Sequence, residues 1–153
     1  MQKTDPLNLP AFPFRLKTVD NKTWIFDSWR KKYIILTPEE WVRQHFLRYL
    51  VDHKNFPELL ISVESGIKVA TRKKRTDAVV FNKTGKPFVL IECKAPEIGI
   101  TQHVFDQILR YNIPLQVKYL MVTNGLSHFC CKLDYINNSW TFLEDIPDFK
   151  TLI

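Results

Sequence analysis

Two acids and a lysine stand where they can act together. Asp77 lies in the run Arg75-Thr76-Asp77-Ala78-Val79-Val80-Phe81, and Glu92 and Lys94 close the run Phe88-Val89-Leu90-Ile91-Glu92-Cys93-Lys94. Asn82-Lys83-Thr84-Gly85-Lys86-Pro87 between them is turn chemistry, so the two runs read as a hairpin. With the turn centred on Thr84-Gly85, Phe81 faces Phe88, Val79 faces Leu90 and Asp77 faces Glu92. Side chains alternate along a strand, which puts Asp77, Val79 and Phe81 on one face with Phe88, Leu90, Glu92 and Lys94. The other face (Ala78, Val80, Val89, Ile91, Cys93) is wholly apolar and reads as core. Opposed Cβ atoms in such a pair sit roughly 4.5–5.5 Å apart, and like charges there destabilise a sheet. A hard divalent cation cancels that repulsion. Mg²⁺, for which Mn²⁺ can substitute, is commonly held by one or two carboxylates plus waters and substrate phosphates. Lys94 on the same face can orient a nucleophilic water or steady developing negative charge. It reads equally well as a counter-ion that neutralises the two acids.

Other residues acquire meaning around this group. Gln107 and Tyr111 are four apart in a helical stretch and share a face, where an amide and a phenol can hold a phosphate or the lysine; a plain polar helix face is the alternative. Glu40, near the start of an amphipathic helix, is either a further metal ligand or a capping-box glutamate. Arg72, Lys73, Lys74 and Arg75 precede Asp77 directly, so phosphate contact explains this run better than a solvated face does.

The elements that must position these groups can be read in order. Residues 1–11 are proline-dotted and irregular. Residues 12–19 and 23–26 form hairpin arms turned at Asp20-Asn21-Lys22, and 33–36 is a further extended piece. Thr37-Pro38-Glu39-Glu40 opens a helix with its cap, its proline and its acid in place, and Trp41, Val42, His45, Phe46, Tyr49 and Leu50 follow at helical spacing. Asn55-Phe56-Pro57 ends it or starts a short helix over 57–60. Strands are expected at 62–69, 76–81 and 88–94, a helix at 99–112, and strands at 117–123, 128–133 and 140–144. This order describes one α+β or mixed α/β domain: a β extension over 1–36 and a core over 37–153.

The chain has 153 residues, 45% of them hydrophobic, enough for a single core. The start lacks the apolar stretch of a signal peptide and no run spans a bilayer, so a soluble, cytoplasmic protein is expected. Cys93, Cys130 and Cys131 sit in apolar runs without CxxC spacing and read as buried thiols. The four histidines show no zinc-ligand spacing. A net charge of +6 leans toward a polyanionic partner. Arg30, Lys31 and Lys32 form a second basic run, read as a solvated face.

Asp77, then Glu92-Cys93-Lys94, then Gln107-xxx-Tyr111 resembles the PD-(D/E)XK nuclease superfamily. Within it the chain is similar to the N-terminal nuclease domain of type I restriction enzyme R subunits. LTPEEWVRQHFLRYL, RTDAVVFN, FVLIECKAP, QILRY and VTNG, spread over 36–125, carry the likeness. It implies a mixed sheet flanked by helices and Mg²⁺-dependent DNA phosphodiester hydrolysis. Asp77, Glu92 and the Cys93 carbonyl would hold the metal, with Lys94 serving the attacking water, Gln107 and Tyr111 as the QxxxY pair, and Glu40 as the helix-borne acid. Thr76 stands where the family name has proline. These residues contain no P-loop, so ATP-driven translocation is not expected of them. DNA is the expected partner, with restriction-system subunits or a second copy as further candidates. A catalytically idle nucleic-acid-binding or assembly module of the same fold is the alternative.

Overall fold

In the computed structural model, which describes residues 4–63 and 77–153, Asp20 and Asn21 take left-handed conformations with φ of 51° and 63°. Two such residues in succession suit the two-residue turn that matches strand twist. They join β1 (Leu16–Val19) to β2 (Lys22–Asp27), and β3 (Lys32–Ile35) completes a three-stranded antiparallel sheet. Residues 12–15 lie outside the first strand. Of the basic run that follows β2, Arg30 is not solvated surface: its guanidinium grips Asp27 at 2.6 Å and Glu40 at 3.2 Å.

Helix α1 (Pro38–Lys54) begins where its chemistry predicts, with the Thr37 hydroxyl accepting the Glu40 amide at 3.0 Å. Asn55 ends it in a left-handed conformation, φ 59°, and a single 3-10 turn over Glu58–Leu60 leads into β4 (Ile61–Val63). The rest of the strand expected at 62–69 lies outside the described residues, as do Thr76 and the run Arg72, Lys73, Lys74 and Arg75.

The central hairpin is β5 (Ala78–Phe81) and β6 (Pro87–Cys93), with Val79 opposite Leu90 as the spacing requires. Phe81, however, pairs with Pro87 instead of Phe88, because the register shifts between Val80 and Phe81. The Asn82 carboxamide closes the loop from inside, accepting the amides of Thr84 and Lys86 at 3.0 Å each. Helix α2 (Gln102–Asn112) starts after Thr101, whose hydroxyl accepts the Val104 amide; the expected start at Gly99 was three residues early. β7 (Tyr119–Thr123), β8 (His128–Asp134) and β9 (Ser139–Phe142) follow, and a one-turn helix, α3 (Phe149–Leu152), was not anticipated.

These strands make a six-stranded sheet in the order β4-β5-β6-β7-β8-β9. Among the described strands only β6 and β7 run parallel, joined by the α2 crossover, so the sheet is mixed. Both faces of the hairpin are buried, where the sequence suggested one. Val42, Phe46 and Leu50 of α1 pack with Ala78, Val80, Ile91 and Met121 on one side. Phe105, Ile108 and Leu109 of α2 pack with Val79, Leu90 and Leu120 on the other. Each such buried side chain contributes about 1.5–3 kcal/mol, so the strand carrying the acid and lysine is clamped from two sides. The three cysteines are free and buried, and burial pushes the Cys130 and Cys131 thiols up to about 12. Among the described residues no helix is long and apolar enough to cross a membrane.

Candidate active site

β5 begins at Ala78, opposite Ile91, so Asp77 sits just beyond the ladder at the level of Glu92. Its side chain continues the pairing that its backbone gives up: Oδ2 accepts the Cys93 amide at 2.6 Å. Asp77 is thereby tied to the residue between Glu92 and Lys94. Glu92 is buried at 3% exposure and Lys94 is half-buried. The parallel neighbour holds the far side of the same strand, since the Lys94 amide donates to the Thr123 carbonyl at 2.8 Å.

The start of α1 supplies two acids that behave differently. Glu40 is buried and its carboxylate is fully engaged. Oε1 takes Arg30 at 3.2 Å and Arg43 at 3.1 Å, and Oε2 accepts the Gln44 carboxamide at 3.1 Å. It does not serve as the returning arm of a capping box. Arg43 extends this network to the site, lying 3.8 Å from Asp77 Oδ1. Glu39 is half-buried, and its carboxyl responds to the charges of the hairpin. Burial and the nearby Asp77 carboxylate push its carboxyl up, while Arg43 and Lys94 pull it down. Burial also holds the Cys93 thiol well above its usual range, and Asp77, Glu92 and Glu39 add to that effect.

Glu39 and Arg43 are the residues that motif reasoning missed. Their four-residue spacing on one helical face was a signal, but the capping-box pattern drew attention to Glu40. Gln107 is exposed and Tyr111 is 46% exposed, on the flank of α2 away from its buried stripe. No hydrogen bond joins Gln107 to Asp77, Glu92 or Lys94.

The segment Val122-Thr123-Asn124-Gly125 fastens the surroundings. The Asn124 carboxamide donates to the Ile98 carbonyl at 2.8 Å and accepts the amides of Leu126 and Ser127. It thus ties down the loop that leaves Lys94. Gly125, at φ 86°, has Leu7 and Val42 so close that an added Cβ would sit 2.8 Å from the leucine methyl.

The donor set suits a hard cation. Asp77 and Glu92 offer carboxylate oxygens and Cys93 a backbone carbonyl, and Mg²⁺ usually keeps several waters on so few protein ligands. Among the described residues no group of three or more His, Cys, Asp or Glu side chains is gathered as a closed metal cage.

A six-stranded mixed sheet flanked by helices is consistent with a restriction-endonuclease-like fold. The chain belongs to the family described as type I restriction enzyme R protein N terminus (HSDR_N), whose model matches residues 38–147. A similar solved structure is a fragment described as an HsdR subunit of a type I restriction enzyme from Vibrio vulnificus YJ016. It is 24% identical, the match covers 53% of this chain and 15% of that one, and the TM-score is 0.38. No curated protein matches the chain.

Proposed function

We propose that this chain hydrolyses DNA phosphodiesters with Mg²⁺, using Asp77, Glu92, the Cys93 carbonyl and Lys94. The observation that carries the reading is the bond from the Cys93 amide to Asp77, which joins the isolated acid to the Glu-x-Lys strand. Asp77, Glu92 and the Cys93 carbonyl would hold the ion. When bound, Mg²⁺ supplies Lewis-acid activation of the phosphate and lowers the pKa of bound water.

The chain's own residues do the rest. Lys94 donates a hydrogen bond that orients the attacking water, and its ammonium balances charge that develops on the phosphate. Arg43 keeps the Asp77 carboxylate in place from the helix side and is itself positioned by Glu40. Glu39, whose carboxyl responds to the charges of Asp77, Arg43 and Lys94, is a better candidate for the helix-borne acid than Glu40, whose oxygens are committed elsewhere. Gln107 and Tyr111 are available to DNA from the exposed flank of α2, and Arg72, Lys73, Lys74 and Arg75 would contact phosphates ahead of Asp77. Restriction-system subunits are the partners that family membership favours, in the cytoplasm where such systems meet DNA.

The test is cleavage of supercoiled plasmid and linear duplex with Mg²⁺, with Mn²⁺ and with EDTA, by wild type and Asp77→Asn. Metal-dependent cleavage lost in the variant supports the reading. DNA binding without cleavage under every metal condition would instead make the chain an idle binding module.

A further inference from the structure

We infer that the outer face of the N-terminal three-stranded sheet is a second DNA-contacting surface, one that engages the phosphate backbone through Arg15, Lys17 and Lys22. The inference takes the DNA reading of the site as its premise and assigns a role to the β extension that precedes the family-matched residues. The register fixes which side chains share this face. Lys17 opposes Trp24, Val19 opposes Lys22 and Phe26 opposes Tyr33, so these six lie together. Ile25 and Asp27, both 0% exposed, belong to the opposite face. The outward side is therefore the one that carries the cations, and Arg15, Lys17 and Lys22 are all exposed.

Aromatic rings hold two of these cations in place. The Arg15 guanidinium lies 3.9 Å from the Phe26 ring centroid and the Lys17 ammonium 4.0 Å from that of Tyr33. Phe26 and Tyr33 in turn meet edge to face at 5.3 Å. A cation seated on a ring keeps its charge directed outward and has less rotamer freedom to lose on binding. Among the described residues, no salt bridge joins Arg15, Lys17 or Lys22 to a carboxylate. Nearby Asp27 is turned to the other face and consumed by Arg30. A face with two ring-seated cations and a third exposed lysine, none of them paired with an acid, complements a polyanion. Regularly spaced phosphates fit it better than a protein surface of mixed sign.

The experiment measures binding of the full 153-residue chain to two unrelated duplexes by fluorescence anisotropy, in EDTA, at several salt concentrations. The variant is the triple substitution Arg15→Gln, Lys17→Gln, Lys22→Gln. Each lost phosphate contact removes about 0.9 from the slope of log K against log salt, so the triple variant should lose about 2.7 on both duplexes. A charge-preserving variant, Arg15→Lys, Lys17→Arg, Lys22→Arg, should keep the wild-type slope, which separates lost charge from lost folding. An unchanged slope in the triple variant overturns this inference while leaving the nuclease reading intact. Poly-glutamate competing as well as DNA at equal charge also overturns it, in favour of an acidic protein partner. Wild type that binds neither duplex removes the premise together with the inference.

Discussion

The carboxylate of Asp77 accepts the backbone N–H of Cys93 at 2.6 Å, so a side chain occupies the place of a ladder bond just where β5 gives out. Strand β6 is thus paired to its end, to Thr123 on one side and to Asp77 on the other. An acid that only sat opposite Glu92 could rotate away from a like charge. One that also satisfies a buried amide is held there.

Asp77→Asn and Asp77→Ala should therefore separate. Asparagine keeps a carbonyl oxygen for the Cys93 amide but loses the charge, so cleavage should fall by about 10²-fold or more, the scale of a lost electrostatic group, with stability little changed. Alanine also leaves a buried N–H unsatisfied, which costs about 1–3 kcal/mol. Urea denaturation beside plasmid cleavage tests both. Equal destabilisation by the two variants would mean the hydrogen bond carries no weight.

Lys94→Ala should lower the rate of cleavage by about 10²–10³-fold, leaving metal and DNA binding close to wild type. Its assigned work is in the chemical step, whereas Asp77 and Glu92 are assigned to the ion. Calorimetric Mn²⁺ titration and duplex binding provide the controls. Cleavage at the wild-type rate would return Lys94 to the simpler role of neutralising its acidic neighbours.

What the sequence revealed was local. Thr37 and Pro38 announced α1, Asp20-Asn21 announced a hairpin, and period-two alternation set Val79 against Leu90 and Asp77 level with Glu92. What it hid depended on contacts between distant residues. Nothing near Glu40 in the chain says that Arg30 will reach across from the N-terminal sheet and claim it. The bulge at Phe81 follows from Asn82 folding into its own loop, a choice open to any turn asparagine. The short helix α3 was missed because four residues carry no periodicity; Phe149 is fixed by Phe56 and Phe88, with rings 5.2 and 6.4 Å away.

The neighbours Glu39 and Glu40 should fail in opposite ways. Glu40→Ala removes the anion shared by Arg30 and Arg43, and taking one partner from a buried ion pair costs about 3–5 kcal/mol. The lower end is expected, since Asp27 still balances Arg30. Glu39→Gln should leave the urea midpoint near wild type yet reduce cleavage by about 10- to 100-fold, the usual effect of disturbing a group beside metal ligands. If Glu39→Gln cleaves normally and a stabilised Glu40 variant does not, the helix-borne acid is Glu40 after all.

The last prediction concerns pH. His128 is bonded at both nitrogens, 2.7 Å from the Thr123 hydroxyl and 2.9 Å from the Asn8 carbonyl. The carbonyl can only accept, so Nε2 carries the proton. In the neutral ring Nδ1 is then the acceptor, and the Thr123 hydroxyl, which also accepts the Gly125 amide at 2.9 Å, donates to it. The neutral ring has a partner at both nitrogens. Burial lowers the pKa of His128 below its ordinary value of 6.5, more than the bond to Asn8 raises it. Burial likewise lowers that of His45, against the opposing effect of the Trp41 carbonyl. For a group with a depressed folded pKa, the unfolded chain takes up the proton first. The stability from neutral His128 and His45 is therefore complete above about pH 6.5 and declines as pH falls toward and through their folded values. Urea midpoints between pH 8 and 5 should be flat at the alkaline end and drop below about 6.5. His128→Gln, which keeps one donor and one acceptor but does not titrate, should soften that drop. A wild-type midpoint that stayed level down to pH 5 would show that neither ring is held neutral by the fold.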